Sequence, residues 1–193
     1  MAVSDRTRIA LADALKEMTE TMPLSRIRVM ELCKRCGVDR RTFYYHFRDI
    51  YDLSAWIFDK DVNDAIERFG GHACLEALVL ALERVREELG FYRRALAEDS
   101  QNALWRHILN ANVQLYVREV QYLRDTELLS REDEFAIGYH CFASLGIIRR
   151  WIFADNDLSP REVAILLVHT MPPMLRAIYQ SDPDWRKEKK KYE

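Results

Sequence analysis

Glycine and proline are scarce in this sequence. Six glycines and five prolines in 193 residues supply too few tight turns for a β-sandwich or barrel, whose many short strands need a turn at each end. Only four cysteines occur, Cys33, Cys36, Cys74 and Cys141, and in a chain this long they do not make a disulfide framework. No uncharged apolar run reaches the roughly 18 residues of a membrane span. Residues 1–10 lack the apolar core of a signal peptide. The expected compartment is the cytoplasm, with no membrane partner. Catalytic signatures are missing as well: there is no glycine-rich phosphate loop, no nucleophile elbow and no His-Glu-x-x-His. The five histidines stand apart at positions 46, 72, 107, 140 and 169. Neither an enzyme nor a metal or cofactor is expected.

What is present is a helix-forming, core-forming composition, 49% apolar and 31% charged, at a length that can bury a substantial interior. The net charge of −2 argues against a polyanionic partner until its distribution is read. Residues 26–48 hold seven arginines and lysines against two acidic residues, an excess of +5. The end of the chain, 186–193, carries another +3, so the remainder bears −10. A cationic segment on an acidic body suits a protein that meets a polyanion on one face.

Apolar spacing predicts a first helix after Ser4, a potential N-cap, running to about Thr21 and ended by Met22-Pro23. A short second helix covers about 29–35, with Val29, Leu32, Cys33 and Cys36 turned inward. Gly37 supplies the left-handed residue that closes it, and Asp39 is placed to cap a third helix over 40–46. Asp49 starts a fourth, reaching about Phe69. Beyond Gly70-Gly71, helical patterns recur at about 72–89, 91–98, 101–125, 132–154 and 160–180. Ser159-Pro160-Arg161-Glu162 is a strong start for the last, and Pro172-Pro173 predicts a break within it. The fold class is thus all-α, about nine helices. The expected domains are a three-helix helix-turn-helix unit over 1–48, a larger helical regulatory and dimerisation domain over 49–180, and a charged tail over 181–193.

The third helix carries the chemistry. In Arg40-Arg41-Thr42-Phe43-Tyr44-Tyr45-His46-Phe47, the two phenylalanines are four apart and can share the inward side. Arg40, Arg41, Thr42, Tyr44, Tyr45 and His46 divide the remaining arc. Arginine is the commonest reader of guanine edges, threonine or an aromatic ring can touch a thymine methyl, and tyrosine and protonated histidine can bond phosphate. Taken singly, an Arg-Arg pair is usually a solvated face and a Tyr-Tyr pair usually packs. Their joint occurrence after a glycine turn is far more specific.

Residues 27–53, from Ile27 through Gly37-Val38 and the Thr42-Phe43-Tyr44-Tyr45-His46-Phe47 string to Asp52-Leu53, resemble the DNA-binding signature of the TetR family of regulators. The resemblance implies a homodimer that binds a near-palindromic double-stranded operator and answers to a small-molecule effector. It puts Thr42, Tyr44, Tyr45 and His46 at DNA-contacting places of the recognition helix, Arg40 and Arg41 at its start, and Arg28 and Arg48 at flanking backbone contacts. Two positions depart from the pattern. Arg28 stands where a capping Thr is usual, and Ile50 where a phosphate-binding Lys is frequent. Residues 49–58, with Gly146, Trp151 and Ile152, resemble the branch containing regulators of dihydroxyacetone kinase genes, some of which act with a protein partner.

In the C-terminal part, residues 132–154 are apolar nearly all round, which predicts burial on several faces. Core packing is the default reading. The resemblance adds that this helix and the last, striped by Val163, Leu167, Met171, Met174 and Ile178, pair with their symmetry mates. Tyr92, Trp105, His107, Tyr116 and Cys141 are candidates for lining an effector pocket. Cys33-x-x-Cys36 lacks the second ligand pair of a zinc site and reads as two small core residues. A repressor released by a small molecule is the expected function; the alternative is a TetR-like coactivator working through a protein partner.

Overall fold

A computed structural model of the chain describes residues 3–97, 103–154 and 157–179. Among these residues the fold is all-α, with ten helices and one 3-10 turn. The helices are α1 (Val3–Thr21), α2 (Val29–Cys36), α3 (Arg40–His46), α4 (Ile50–Arg68), α5 (Leu75–Glu87), α6 (Leu89–Ala97), α7 (Leu104–Arg124), α8 (Arg131–Phe153), α9 (Pro160–His169) and α10 (Pro173–Tyr179). The first helix begins at Val3, so Ser4 lies inside its first turn and does not cap it. The count exceeds nine because the final helix divides at the proline pair. Pro172 stays outside both helices and Pro173 opens α10, the one helical position where a missing N–H costs nothing.

The residues fall into two compact units, one drawn from 1–59 and 88–107, the other from 60–87 and 108–193. In the first, α1 packs against both α2 and α6. Leu11 and Leu15 of α1, Leu32 of α2 and Phe91 of α6 are all within 2% of complete burial. Lys16 and Glu88 pair at 2.5 Å.

In the second unit α5 packs on α9, through an alternation of buried residues that includes Leu75, Val79, Leu82, Val163, Leu167 and Val168. Arg161 and Glu76 add an ion pair at 2.5 Å. Two capping boxes fix helix starts here. Ser130 and Asp133 exchange bonds at α8, and Ser159 and Glu162 do so at α9; each satisfies two backbone donors that a helix start leaves open.

Helix α8 is buried on fewer faces within the protomer than its apolar surround predicts. Ile137, Cys141, Leu145, Trp151 and Ile152 face inward, whereas Phe135, Tyr139, Phe142, Ile147 and Phe153 are exposed, Phe135 to 75%. The protomer covers one side of the helix only. The predicted stripe of the last helix goes the other way: Val163, Leu167, Met171 and Ile178 are buried inside the protomer, and Leu166 is the exposed apolar residue of α9. The segment 181–193 and the basic residues in it lie outside the described residues.

Candidate nucleic-acid interface

The interface starts from a turn of three residues, Gly37, Val38 and Asp39, between α2 and α3. Gly37, at φ 66°, closes α2 in the left-handed conformation, which glycine adopts without the Cβ penalty. Its neighbour Val38 donates back to the Cys33 carbonyl at 3.1 Å. Asp39 then caps α3, its carboxylate accepting from the Thr42 N–H at 2.7 Å. That hydrogen bond holds the Asp39 carboxyl below the usual carboxylate range. Arg28 sits at the cap position of α2 and makes no side-chain cap bond, the outcome of replacing the usual Thr.

Phe43 and Phe47 anchor α3, as their spacing predicts. They are 0% and 4% exposed and their rings lie 5.9 Å apart. Phe47 meets the edge of Trp56 on α4 at 5.8 Å, and the Arg8 guanidinium of α1 lies over the same indole at 5.5 Å. Helix α4 therefore meets the short helix directly, α2 packs against it, and α1 backs the Trp56 contact.

The opposite side of α3 is open. Arg40 and Arg41 are exposed, Tyr44 is 50% exposed and Tyr45 82%, while Thr42 and His46 are half-buried. Arg40 reaches along the helix to Tyr44, its Nη2 3.5 Å from the hydroxyl and its Cζ 5.7 Å from the ring centre. Tyr45 meets the His46 ring edge-on at 4.9 Å. Arg28 is exposed as well. A row of cations and aromatic rings on a helix too short to bury them matches what base edges and phosphates require.

The start of α4 is built differently from the family pattern. Ile50 is 6% exposed and packs instead of reaching outward. Asp49 caps the helix by accepting from the Asp52 N–H at 2.8 Å. Asp52 in turn binds the Arg48 guanidinium at 2.6 Å. Two carboxylates thus already occupy the helix end that an incoming phosphate would use, and Arg48 is the cation they leave at the edge. Met30, 64% exposed on the first turn of α2, was not singled out by the sequence. Its only signal is that it falls out of phase with the buried Leu32-Cys33 pair.

Of the motif's two cysteines, Cys33 is a core residue and Cys36, at the last turn of α2, is only half-buried, short of the core place expected for it. Cys33 is 3% exposed, and Cys36 places its Sγ 3.4 Å from the Ala10 carbonyl. Burial raises both thiols above their ordinary range, which favours the protonated form over the nucleophilic thiolate.

The five effector-pocket candidates divide between the two units. Tyr92, Trp105 and His107 belong to the first. Tyr92 is 1% exposed; the buried Trp105 indole N–H has no acceptor among the described residues; His107 bonds Asp59 at 2.7 Å, which raises its pKa. Tyr116 and Cys141 belong to the second, in a buried polar cluster. The Tyr116 and Tyr179 hydroxyls are 3.3 Å apart, and the His140 ring stands edge-on to Tyr116 at 5.4 Å. Burial pushes Cys141 up to about 12 and His140 down to about 4. Tyr179 carries no sequence signal, because its partner Tyr116 lies on another helix; His140 meets Tyr116 across helices as well, and Ser144 on its own.

A glycine-hinged pair of helices whose second member offers cations and tyrosines outward, joined to a separate helical unit, defines a helix-turn-helix regulator. Residues 73–172 match the TetR-type family described as transcriptional regulator C-terminal region. The chain is similar to the HTH-type dhaKLM operon transcriptional activator DhaS of Lactococcus lactis subsp. lactis (strain IL1403), with 24% identity over 161 residues, 79% of this chain and 82% of that protein. Among solved structures it resembles the dihydroxyacetone kinase operon activator DhaS, at a TM-score of 0.64 and 22% identity, covering 89% of this chain and 96% of the other. It also resembles a TetR-family regulator from Streptomyces coelicolor, at a TM-score of 0.57 and 15% identity, covering 99% and 89%. The chain belongs to the TetR family of transcriptional regulators.

Proposed function

We propose that this regulator is a homodimer that grips a near-palindromic operator by placing α3 in successive major grooves. The observation that carries the reading is the two-sidedness of α3. Phe43 and Phe47 are buried while Arg40, Arg41, Tyr44 and Tyr45 are exposed on the other side. Thr42, His46, Arg28 and Arg48 complete the proposed contact set, the last two on phosphates.

The exposed face of α8 supports the dimer. Phe135, Tyr139 and Phe142 border a shallow groove of about 460 Å³ floored by Gly138 and Ala143. Three exposed aromatic side chains at i, i+4 and i+7 make an apolar stripe on this helix that the protomer leaves uncovered, and a twofold-symmetric pairing of it would match the symmetry of a palindrome. Because the α9 stripe is spent inside the protomer, α8 carries most of this proposed contact.

Repression relieved by a small-molecule effector remains our first reading of the regulation. Tyr116 and Cys141, with Tyr179 and His140, form the polar cluster we assign to effector response in the second unit. Tyr92, Trp105 and His107 are the candidates in the first, where the Trp105 N–H, without an acceptor among the described residues, would suit a ligand acceptor. Activation is the second reading, favoured by the description of the similar DhaS as a transcriptional activator, and with it comes action through a protein partner. The deciding experiment is selection of bound sequences from a random DNA pool by the purified chain. Enriched half-sites one helical turn or a multiple apart are expected, with affinity falling steeply as salt rises. Enrichment of nothing over the starting pool would remove direct DNA reading in favour of the coactivator.

A further inference from the structure

Arg40 and Tyr44 are not independent exposed side chains. They stand one turn apart on the same side of α3, with the guanidinium over the ring at 5.7 Å and Nη2 3.5 Å from the hydroxyl. The Tyr44 ring is itself backed edge-on, at 5.4 Å, by Phe43, which is 0% exposed. A fully buried side chain therefore braces the tyrosine, and the tyrosine braces the arginine. A long arginine normally loses much rotamer freedom when it binds. Here part of that ordering is complete before any ligand arrives.

The bracing leaves the useful groups open. A guanidinium has five N–H donors; one points at the Tyr44 hydroxyl, and the others remain for a bidentate acceptor. Guanine offers such an acceptor pair, O6 and N7, in the major groove, while an apolar surface is matched there by the thymine methyl. Residues four apart are separated by about 6 Å along the helix, more than the roughly 3.4 Å rise of one base pair and less than two. Stacked together, they fall over neighbouring pairs.

Resting on the reading that α3 enters the major groove, we propose that Arg40 and Tyr44 form one preassembled unit that reads a G·C pair beside a T·A pair, the arginine taking guanine O6 and N7 and the tyrosine ring covering the thymine methyl. Arg41 is exposed beside them and, among the described residues, has no ring contact of this kind, so it serves as an internal control.

The test is a double-mutant cycle on the sequence selected from random DNA, with helicity checked for every variant. Arg40→Ala and Tyr44→Ala are each expected to weaken binding about tenfold or more. Together they should cost about tenfold less than the product of the two, whereas Arg41→Ala and Tyr44→Ala should multiply. Base analogues read the two halves separately. Deoxyuridine in place of the contacted thymine should weaken the wild type and leave Tyr44→Ala unchanged; 7-deazaguanine should weaken the wild type and leave Arg40→Ala unchanged. Specific binding with multiplicative Arg40 and Tyr44 effects, or indifference of the wild type to both analogues, overturns the unit while leaving DNA reading intact. Failure of the wild type to enrich any sequence overturns the DNA reading, and the unit with it.

Discussion

Arg48 and Asp52 are joined by three hydrogen bonds. The arginine donates to Oδ1 from Nη2 at 2.6 Å and from Nε at 3.2 Å, and its backbone N–H donates to Oδ2 at 3.0 Å. The guanidinium is nevertheless 87% exposed, so a DNA phosphate would compete directly with the carboxylate for it.

That competition is measurable. Asp52→Asn is expected to raise affinity for DNA several-fold at low salt and to steepen the slope of log K against log salt by about 0.9, the value for one more neutralised phosphate. Binding titrations at four or five salt concentrations provide both numbers. An unchanged slope would show that Arg48 does not face the backbone.

Burial and exposure on α3 predict opposite phenotypes for adjacent aromatics. Phe43→Ala should cost about 3–5 kcal/mol of stability, as loss of a fully buried phenylalanine does. Tyr45→Ala should leave stability within about 0.5 kcal/mol and weaken the selected DNA site by about 1–3 kcal/mol. Denaturant melts and binding curves on the same preparations separate the two. A Tyr45→Ala protein that melts early but binds normally would contradict the assignment.

Phe142→Glu on α8 places a charge in the middle of the exposed aromatic face. Light scattering at micromolar concentration is expected to show a dimer for the wild type and a monomer for the variant, with helical content unchanged. Affinity for a full palindrome should fall much more than affinity for an isolated half-site. A wild type that is already monomeric would sink the dimer.

His107 and His140 should give the stability a pH dependence of opposite sign. Asp59 raises the pKa of His107 in the folded chain, so this pair contributes fully below the unfolded value of about 6.5 and is lost as pH rises through the folded value. His140 is held near 4 by burial. Between about 6.5 and 4 the unfolded chain binds a proton that the native state refuses, and stability falls with pH by at most about 3 kcal/mol. Melting temperatures of His107→Gln should lag the wild type in mild acid and converge with it in alkali. Those of His140→Asn should decline less steeply from pH 7 to pH 5.

The helix-turn-helix was legible because each of its determinants is local. Gly37, Asp39, Phe43 and Phe47 act on backbone or neighbours within a few residues, and the Ser159-to-Glu162 capping box and the Pro172-Pro173 break are equally short-range. The exposed side of α8 was not legible, since Phe135 and Phe142 look the same in sequence as Ile137 and Cys141. Which of them a protomer covers depends on helices placed far along the chain. The buried pairing of Tyr116 with Tyr179, 63 residues away, was invisible for the same reason. The Arg48–Asp52 grip lay within reach, being an i,i+4 pair of opposite charge, but its competition with phosphate emerged only with the geometry.

The docking of α6 on α1 constrains how such a regulator can be rebuilt or recombined. A gene fusion cut after residue 59 would strip α6 from α1 and leave Lys16 without Glu88. Exchanging operator preference between relatives therefore calls for transplanting two separate stretches, the N-terminal helices and the segment from 88 to 107. A single crossover would yield a sticky fragment instead of a new switch.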